Sequence, residues 1–325
     1  MKFKKMIAIG LAAGLAVSAL TGCSIKTDTP FIGHFFGLKD DQVFKVDDLI
    51  CTKPEYMIRI LDTAKKTSKG LGGNVNWDNK VSEEKTLEDY VLDNTKEYIT
   101  AKYAVSAMAT ANGISLTTDE QEKADSDAEK SYNALTSEEK EFTGAKEGDM
   151  KKLFTNLRLA DKAYKEITDE VKTTISDEDA RVCDVQYIRM SIKKSGLKKI
   201  KKKYKEIKEV VEGEYQKFDK EAKQYSEDEN YDLTIKKNEA KSKLEKEAVN
   251  VTTGTCSKPI VDGDNVYLVY CVKGYDKKAT AANKKVLIDA KKKICFDQKY
   301  SDFLDSVETD FNSSAIKGID LSSIK

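Results

Sequence analysis

The chain has one histidine, three prolines and one tryptophan in 325 residues. A lone histidine, His34, lies in a polar stretch near the N-terminus. That argues against zinc-hydrolase sites built from several imidazoles and against serine–histidine triads. Scarce proline, with charged residues at 34% and hydrophobic residues at 39%, suits long solvated amphipathic helices better than a sandwich or barrel. An excess of either charge is also missing, since Lys+Arg and Asp+Glu both number 56. No global field draws nucleic acid, and no nucleic-acid partner is expected. The sequence shows no internal repeat, and no cofactor is expected. Its length allows one large domain or two smaller ones, with ample material for a core.

What is present begins with an address. Lys2, Lys4 and Lys5 form a positive region, and Met6 to Leu20 is an apolar run too short for a comfortable membrane span. Leu20-Thr-Gly-Cys23 resembles the lipobox of bacterial lipoproteins, in which the cysteine thiol is diacylglycerated and the chain is cut just before it. Two acyl chains give stable anchoring where one is marginal. The plainer alternative is a secretory leader with an incidental cysteine; the small residues Thr21 and Gly22 at the end of the run favour the lipobox. Residues 1–22 are therefore expected to be a signal peptide, and 23–42 a tether attached to lipid at Cys23. The expected location is the extracytoplasmic face of the cell membrane.

Beyond the tether the pattern is mostly helical. Val43-Phe-Lys-Val46 reads as a short strand and Asp47-Asp48 as a turn. Thr52-Lys-Pro-Glu55 is a capping box with proline in the first helical turn. Met57, Ile60, Leu61 and Ala64 follow at helical spacing, and Gly70-Leu-Gly-Gly73 stops the helix. A second helix is predicted from about Leu87 to Ala111, a third, opened by Thr118-Asp-Glu-Gln121, to about Ala134, and a fourth from about Asp149 to Val171. Thr136-Ser-Glu-Glu-Lys-Glu between them reads as a polar link.

Then the character changes. Ala180 to Ser191 is the first β-branched run after the helices, and a very basic helix follows it, with Leu197, Ile200, Tyr204, Ile207 and Val211 in phase and Gly213 as its stop. A short helix holds Phe218, Ala222 and Tyr225, and another is predicted over about Lys236 to Ala248. A hairpin of Ser257–Val261 and Val266–Lys273 turns at Asp262-Gly-Asp-Asn265. A last long helix is predicted from about Ala282 to Phe311.

Several of these features, in this order, resemble the extracytoplasmic foldases of the SurA and PrsA group, which pair a helical chaperone domain with a parvulin-type peptidyl-prolyl isomerase domain. Val43-Phe-Lys-Val with its capped helix resembles the group's opening segment, and Ile175-Ser-Asp-Glu-Asp-Ala180 the segment before its parvulin domain. Phe218-x-x-x-Ala222-x-x-Tyr225-Ser226-x-Asp228 is similar to the parvulin helix motif F-x-x-x-A-x-x-y-S-x-D. Gly254-Thr-Cys-Ser257-Lys-Pro259 is similar to its G-x-x-S-x-P turn. The resemblance implies an α+β fold, mostly α. A helical chaperone-like domain (43–175) would be completed by a C-terminal helix (277–325), with a small parvulin-like domain (176–276) inserted.

The chain departs from the group where the group does chemistry. The first parvulin strand carries a histidine in a pattern like S-H-I-L; the aligned residues here are Gln186-Tyr187-Ile188-Arg189. The closing strand reads G-y-H-I-I, against Asn265-Val266-Tyr267-Leu268-Val269. A Gly-rich segment is replaced by Asn230-Tyr-Asp-Leu-Thr-Ile235. A tyrosine has one hydroxyl and a pKa near 10, so it does not reproduce an imidazole that donates at one nitrogen and accepts at the other. No catalytic residue is assigned, and Tyr187, Met190 and Tyr267 are the candidate peptide-contacting residues.

Five cysteines remain beyond Cys23, with no zinc-ligand spacing. Cys256 and Cys271 lie equally far from the predicted turn, so a simple register sets them opposite each other as a possible disulfide. The parvulin arrangement makes Cys183–Cys271 a rival pairing, Cys51 and Cys295 are a further candidate pair, and all five as buried thiols is the remaining option.

The reading that follows is a lipid-anchored chaperone for unfolded or partly folded exported polypeptides, without efficient isomerase turnover. The alternatives are an active isomerase using tyrosine hydroxyls, or an envelope lipoprotein that holds one folded partner. Oligomeric state is not indicated by the sequence.

Overall fold

The computed structural model describes residues 37–211 and 214–324. The leader, Cys23, His34, most of the tether and Gly213 lie outside the described residues. The described residues form two compact units, 37–171 with 294–324, and those within 172–293. The fold is α+β and mostly α, with the second unit inserted in the chain of the first.

The first unit opens with a hairpin. Strand β1 (Gln42–Val46) pairs with β2 (Leu49–Thr52), closing at Val46↔Leu49. Asp47 takes φ = 53° in the turn, a left-handed conformation that Asp tolerates better than most residues. The sequence reading found the turn but not β2, because Leu49-Ile-Cys-Thr52 is short and its last residue already caps a helix. That helix, α1 (Lys53–Gly70), starts as its capping box predicts: Glu55 Oε2 accepts from the Thr52 N–H at 2.7 Å and from Thr52 Oγ1 at 2.8 Å.

Four more helices follow: α2 (Leu87–Ala111), α3 (Thr118–Asn133), α4 (Ser137–Thr143) and α5 (Glu147–Asp169). The cap of α3 lies one residue earlier than predicted. Thr117 and Glu120 form the box, and Gln121 turns instead to Asp125 and Thr155. Thr136-Ser-Glu-Glu, read as a link, also forms a capping box, between Thr136 and Glu139, and opens α4.

The core of this unit gathers Phe44, Tyr56, Ile60, Ile99, Tyr103 and Phe296, each at most 1% exposed. Phe44 meets Tyr103 edge-on at 5.3 Å. Glu55 is fully buried within it. Besides its cap, it accepts from the Tyr103 hydroxyl at 2.8 Å and from Lys152 Nζ at 3.1 Å, so three elements converge on one carboxylate.

The second unit is a four-stranded antiparallel sheet in the order β4-β3-β6-β5, built from β3 (Val182–Ser191), β4 (Asp232–Lys236), β5 (Ile260–Asp262) and β6 (Asn265–Lys273). Alternation along β3 sends Ile188 and Met190 to one face and Cys183, Val185 and Tyr187 to the other. The first face is covered by α7 (Leu197–Val211), which follows a single turn, α6 (Ile192–Ser195), and by α8 (Tyr215–Tyr225). The Tyr204 hydroxyl is fully buried within hydrogen-bond distance of the carbonyls of Ile188 and Val266, both at 2.8 Å. It ties α7 to two strands at once. The second face is covered by α9 (Lys243–Ala248). The helix predicted over Lys236–Ala248 is thus β4's last residue, a 3-10 turn at Lys237–Glu239 and the short α9.

The hairpin is present but shorter on its first side than read, Ile260–Asp262 rather than Ser257–Val261, with Asp262↔Asn265 closing a two-residue loop. Gly263 takes φ = 54° there, which a glycine adopts without a Cβ penalty. The last helix, α10 (Lys277–Ser306), ends five residues before the predicted Phe311. Thr309–Phe311 is instead a strand, β7, antiparallel to β1, giving the first unit a sheet in the order β2-β1-β7.

The cysteine pairings are corrected by the register. Ile260↔Tyr267 and Val261↔Val266 follow the simple hairpin, but Cys256 then faces Tyr270. One residue of slip accumulates around Pro259, which has no N–H for the ladder, and a one-residue slip reverses faces. Cys256 therefore packs under α7 and α8 while Cys271 lies on the opposite face, and no disulfide joins them. Cys183 and Cys271 share one buried cluster as thiols, and Cys51 is buried whereas Cys295 is exposed.

Candidate peptide-binding site

The site grows out of β3. Tyr187 and Arg189 stand two residues apart and so share the sheet face opposite α7 and α8. The pairing Arg189↔Tyr267 with β6 brings the two tyrosines together across the strands. Their rings meet edge-on with centroids 5.8 Å apart, a favoured aromatic geometry. Leu233, Ala240, Leu244 and Val251, all half-buried, extend this surface. An aromatic pair beside aliphatic side chains is a surface that desolvates readily against an apolar peptide segment.

Behind the tyrosines lies a charged clamp. Arg189 Nε donates to Asp228 Oδ1 at 2.7 Å, its Nη2 lies 2.7 Å from the same oxygen, and Nη1 donates to Asn265 Oδ1 at 2.9 Å. The clamp is placed by the segment after α8. Phe218 and Ala222 bury one face of that helix. Ser226 Oγ then accepts from the Arg189 N–H at 3.3 Å, and the Glu227 N–H donates to the Arg189 carbonyl at 2.9 Å. The residues of F-x-x-x-A-x-x-y-S-x-D thus have distinct tasks: two pack, Ser226 pins the strand edge, and Asp228 holds the guanidinium.

Each ionisable group on this face is pushed away from neutral pH. Burial, with the Asp228 carboxylate second, pushes the Tyr187 phenol up to about 12. Burial also raises Tyr267, although Arg189 opposes it. The Arg189 hydrogen bond holds the Asp228 carboxyl below its usual range, and the same contact raises Arg189. The Tyr187 hydroxyl donates to the Asn230 carbonyl at 3.1 Å. The face therefore presents two neutral phenols and one internally compensated ion pair. It holds no group that exchanges a proton readily near pH 7.

Of the three residues expected to contact peptide, the structure brings together Tyr187 and Tyr267. Met190 is separated from them: three positions along a strand reverses the side, and it packs with the α7–α8 face. Arg189, Asn265, Leu233 and Leu244 were missed. Period-two alternation from Tyr187 was enough to place Arg189 on the tyrosine face. Asn265, Leu233 and Leu244 come from other strands and from α9, and needed the sheet order.

A neighbouring network centres on the buried Gln186 side chain. Gln186, 1% exposed, sets its Nε2 2.7 Å from an Asp232 carboxylate oxygen, 3.0 Å from the Tyr215 hydroxyl and 3.3 Å from an Asp219 carboxylate oxygen. It anchors β3 to α8 and β4.

The first unit carries a separate cavity of about 390 Å³ among α1, α2, α3 and α5. Ile58, Leu61, Tyr98, Met150, Phe154 and Leu157 supply its apolar lining. Arg59, Asp62, Lys65 and Lys66 rim it, with the Arg59 guanidinium 4.0 Å above the Tyr98 ring.

Among families of known proteins, the rotamase family described as the PPIC-type PPIase domain matches residues 187–273. The second unit carries a parvulin-like, PPIC-type rotamase domain. The match begins at Tyr187 and ends at the last residue of β6, so it includes both tyrosines. Among curated proteins nothing matches the chain. Among solved structures it is similar to a peptidylprolyl isomerase (PrsA) from Bacillus cereus, at 17% identity over 77% of this chain and 100% of that one, with a TM-score of 0.37. It is also similar to a foldase protein (PrsA) from Lactococcus lactis, at 12% identity over 87% and 99%, TM-score 0.35. A third similar structure comes from work on two SurA-like chaperones of Campylobacter jejuni, at 14% identity over 83% and 99%, TM-score 0.27.

Among the described residues no helix is long and apolar enough to cross a membrane, and no group of three or more His, Cys, Asp or Glu side chains is placed to hold a metal ion.

Proposed function

We propose that this protein is a foldase-type chaperone, held outside the cell membrane by lipid on Cys23, that binds unfolded exported polypeptides. Its PPIC-type domain serves as a binding surface without efficient prolyl isomerisation. The observation that carries this reading is the pairing of Tyr187 and Tyr267 over the Arg189–Asp228 clamp, in a domain whose family is defined by rotamase chemistry.

Prolyl isomerisation crosses a barrier of ~18–20 kcal/mol, a little less at a tertiary amide. Catalysis there requires an apolar seat for the ring beside hydrogen-bonding groups that favour the twisted amide. The half-buried surface of Leu233, Leu244 and the tyrosines keeps the first requirement. The second is poorly served, because among the described residues no imidazole stands on this face and the Arg189 guanidinium is committed to Asp228 and Asn265. Apolar contact without turnover is the property of a holding surface. The cavity lined by Tyr98, Met150 and Phe154 in the first unit adds a second apolar contact point, with methionine supplying an adaptable wall.

The test uses a short proline-containing peptide whose cis–trans exchange is followed by magnetisation transfer. The expected result is broadening of peptide signals on binding, with an exchange rate equal to that of the free peptide. Acceleration by a catalytic quantity of protein would instead establish an isomerase.

A further inference from the structure

The stretch from Lys193 to Lys205 takes no part in the site above. It holds eight lysines and no acidic residue in 13 positions, in a chain whose basic and acidic totals are both 56. Lys193 and Lys194 reach Asp264 at 2.6 Å and Glu227 at 2.9 Å, and Lys203 lies 4.1 Å from the centre of the Tyr225 ring. The other five, Lys198, Lys199, Lys201, Lys202 and Lys205, are exposed, and none has an acidic partner within 4.0 Å among the described residues.

Their placement follows from the helix. Ile200, Tyr204, Ile207 and Val211 bury the inner stripe of α7. At 3.6 residues per turn, Lys198, Lys202 and Lys205 then point directly outward, with Lys199 and Lys201 on the flanks. Stability of the helix does not favour this arrangement. Helices α1 to α5 and α9 each carry Glu or Asp in the first turn, as the macrodipole prefers. The first turn of α7, like those of α6, α8 and α10, carries no acid, and it holds Lys198 and Lys199. Lys198 also lies three and four residues from Lys201 and Lys202, and Lys201 four from Lys205, spacings at which like charges repel. The arrangement concentrates positive potential on the outward face of the first turns of α7, with Glu206 and Glu209 offsetting it only toward the helix's C-terminal half.

We infer that this face binds an anionic phospholipid surface. Lysines are flexible point charges rather than planar forks, suited to a diffuse layer of headgroups more than to fixed phosphate positions. The aromatic ring within the run, Tyr204, is buried, so the patch lacks the exposed stacking platform of a single-stranded nucleic-acid site. Clusters of four to eight lysines on an amphipathic helix are what anionic bilayers attract. The inference rests on the proposed function for its setting. A chain tethered through Cys23 meets the bilayer at high effective concentration, where a weak attraction suffices.

The test takes the unlipidated polypeptide from Ser24 onward and sediments it with vesicles of mixed phosphatidylglycerol and phosphatidylcholine, or of phosphatidylcholine alone. Binding is expected with the anionic vesicles only, reversed by about 0.5 M salt. The variant K198Q/K199Q/K201Q/K202Q/K205Q is expected to partition at least about tenfold more weakly, with an unchanged circular dichroism spectrum because all five side chains are exposed. Should that variant not fold, K202Q alone carries the test, with an expected weakening of about two- to fivefold. Equal binding to neutral vesicles, or undiminished binding of the variants, would overturn the inference. So would stronger competition from soluble polyphosphate than from anionic vesicles at equal phosphate, which would assign the face to a phosphodiester polymer. No client or prolyl peptide enters the experiment, so a failure of the chaperone reading leaves the result unaffected. Attachment of lipid to Cys23 is read separately, by mass spectrometry.

Discussion

Arg189 is the residue on which the proposed reading of the second unit turns. Its side chain neutralises the Asp228 carboxylate beside the tyrosine pair. Arg189→Met would leave Asp228 partly buried beside Tyr187 without its cation, a loss of about 1–3 kcal/mol measurable as a shift in the urea midpoint. The ion pair also sets a pH dependence. Asp228 has a lower pKa folded than unfolded. Its contribution to stability is therefore fully present above the unfolded value, about 3.9, and is lost as pH falls through the folded value. The stability gap between the protein and its Asp228→Asn variant is accordingly expected to be widest near neutrality and to close in acid. A urea midpoint series against pH checks this; a gap that widens on acidification would refute it.

The clamp also bears on repair of the active site. The double variant Y187H/Y267H restores both imidazoles but leaves Asp228 bound to Arg189. Its peptide exchange rate is expected to stay at the uncatalysed value, whereas adding Arg189→Leu to that background frees the carboxylate. Full activity in the double variant alone would show that the clamp does not matter.

At the scale of elements, each unit has one buried polar joint, a hydroxyl in the second and a carboxylate in the first. Tyr204 reaches carbonyls of both β3 and β6 from α7. Tyr204→Phe keeps the ring and removes the donor, so two buried carbonyls lose a partner. The expected destabilisation is about 1–3 kcal/mol, seen as a lower urea midpoint with an unchanged m-value. Glu55 is the corresponding joint of the first unit. Glu55→Ala removes the α1 cap and leaves Lys152 and the buried Tyr103 hydroxyl without their carboxylate. A loss of about 3–5 kcal/mol is expected, larger than for an exposed cap such as Thr86→Ala at the start of α2.

These elements also show what the sequence made legible. The Thr52–Glu55 box was readable because its chemistry is local. Glu55 as the meeting point of α1, α2 and α5 was not, since Tyr103 and Lys152 lie 48 and 97 residues away. Strands β2, β4 and β7 escaped for a related reason. Each is five residues or fewer, and its identity comes from the neighbour it pairs with rather than from its own pattern. The candidate site divides in the same way. The facing of Tyr187 and Tyr267 followed from two motifs, while the exclusion of Met190 was a matter of strand parity. The cysteine pairing failed because Pro259 interrupts a ladder that the turn alone set correctly.

At the scale of the whole molecule, a discontinuous helical unit carries an inserted PPIC-type domain in which two tyrosines meet beside an ion pair. The central claim is that such a domain binds and does not turn over. The most direct measurement is the refolding of a protein whose slow phase is limited by a prolyl bond, followed at increasing ratios of this protein. The account predicts an unchanged or slower rate constant at substoichiometric ratios, with aggregation falling as the ratio approaches one to one. A rate constant that rises in proportion to a small, catalytic quantity of protein would contradict it.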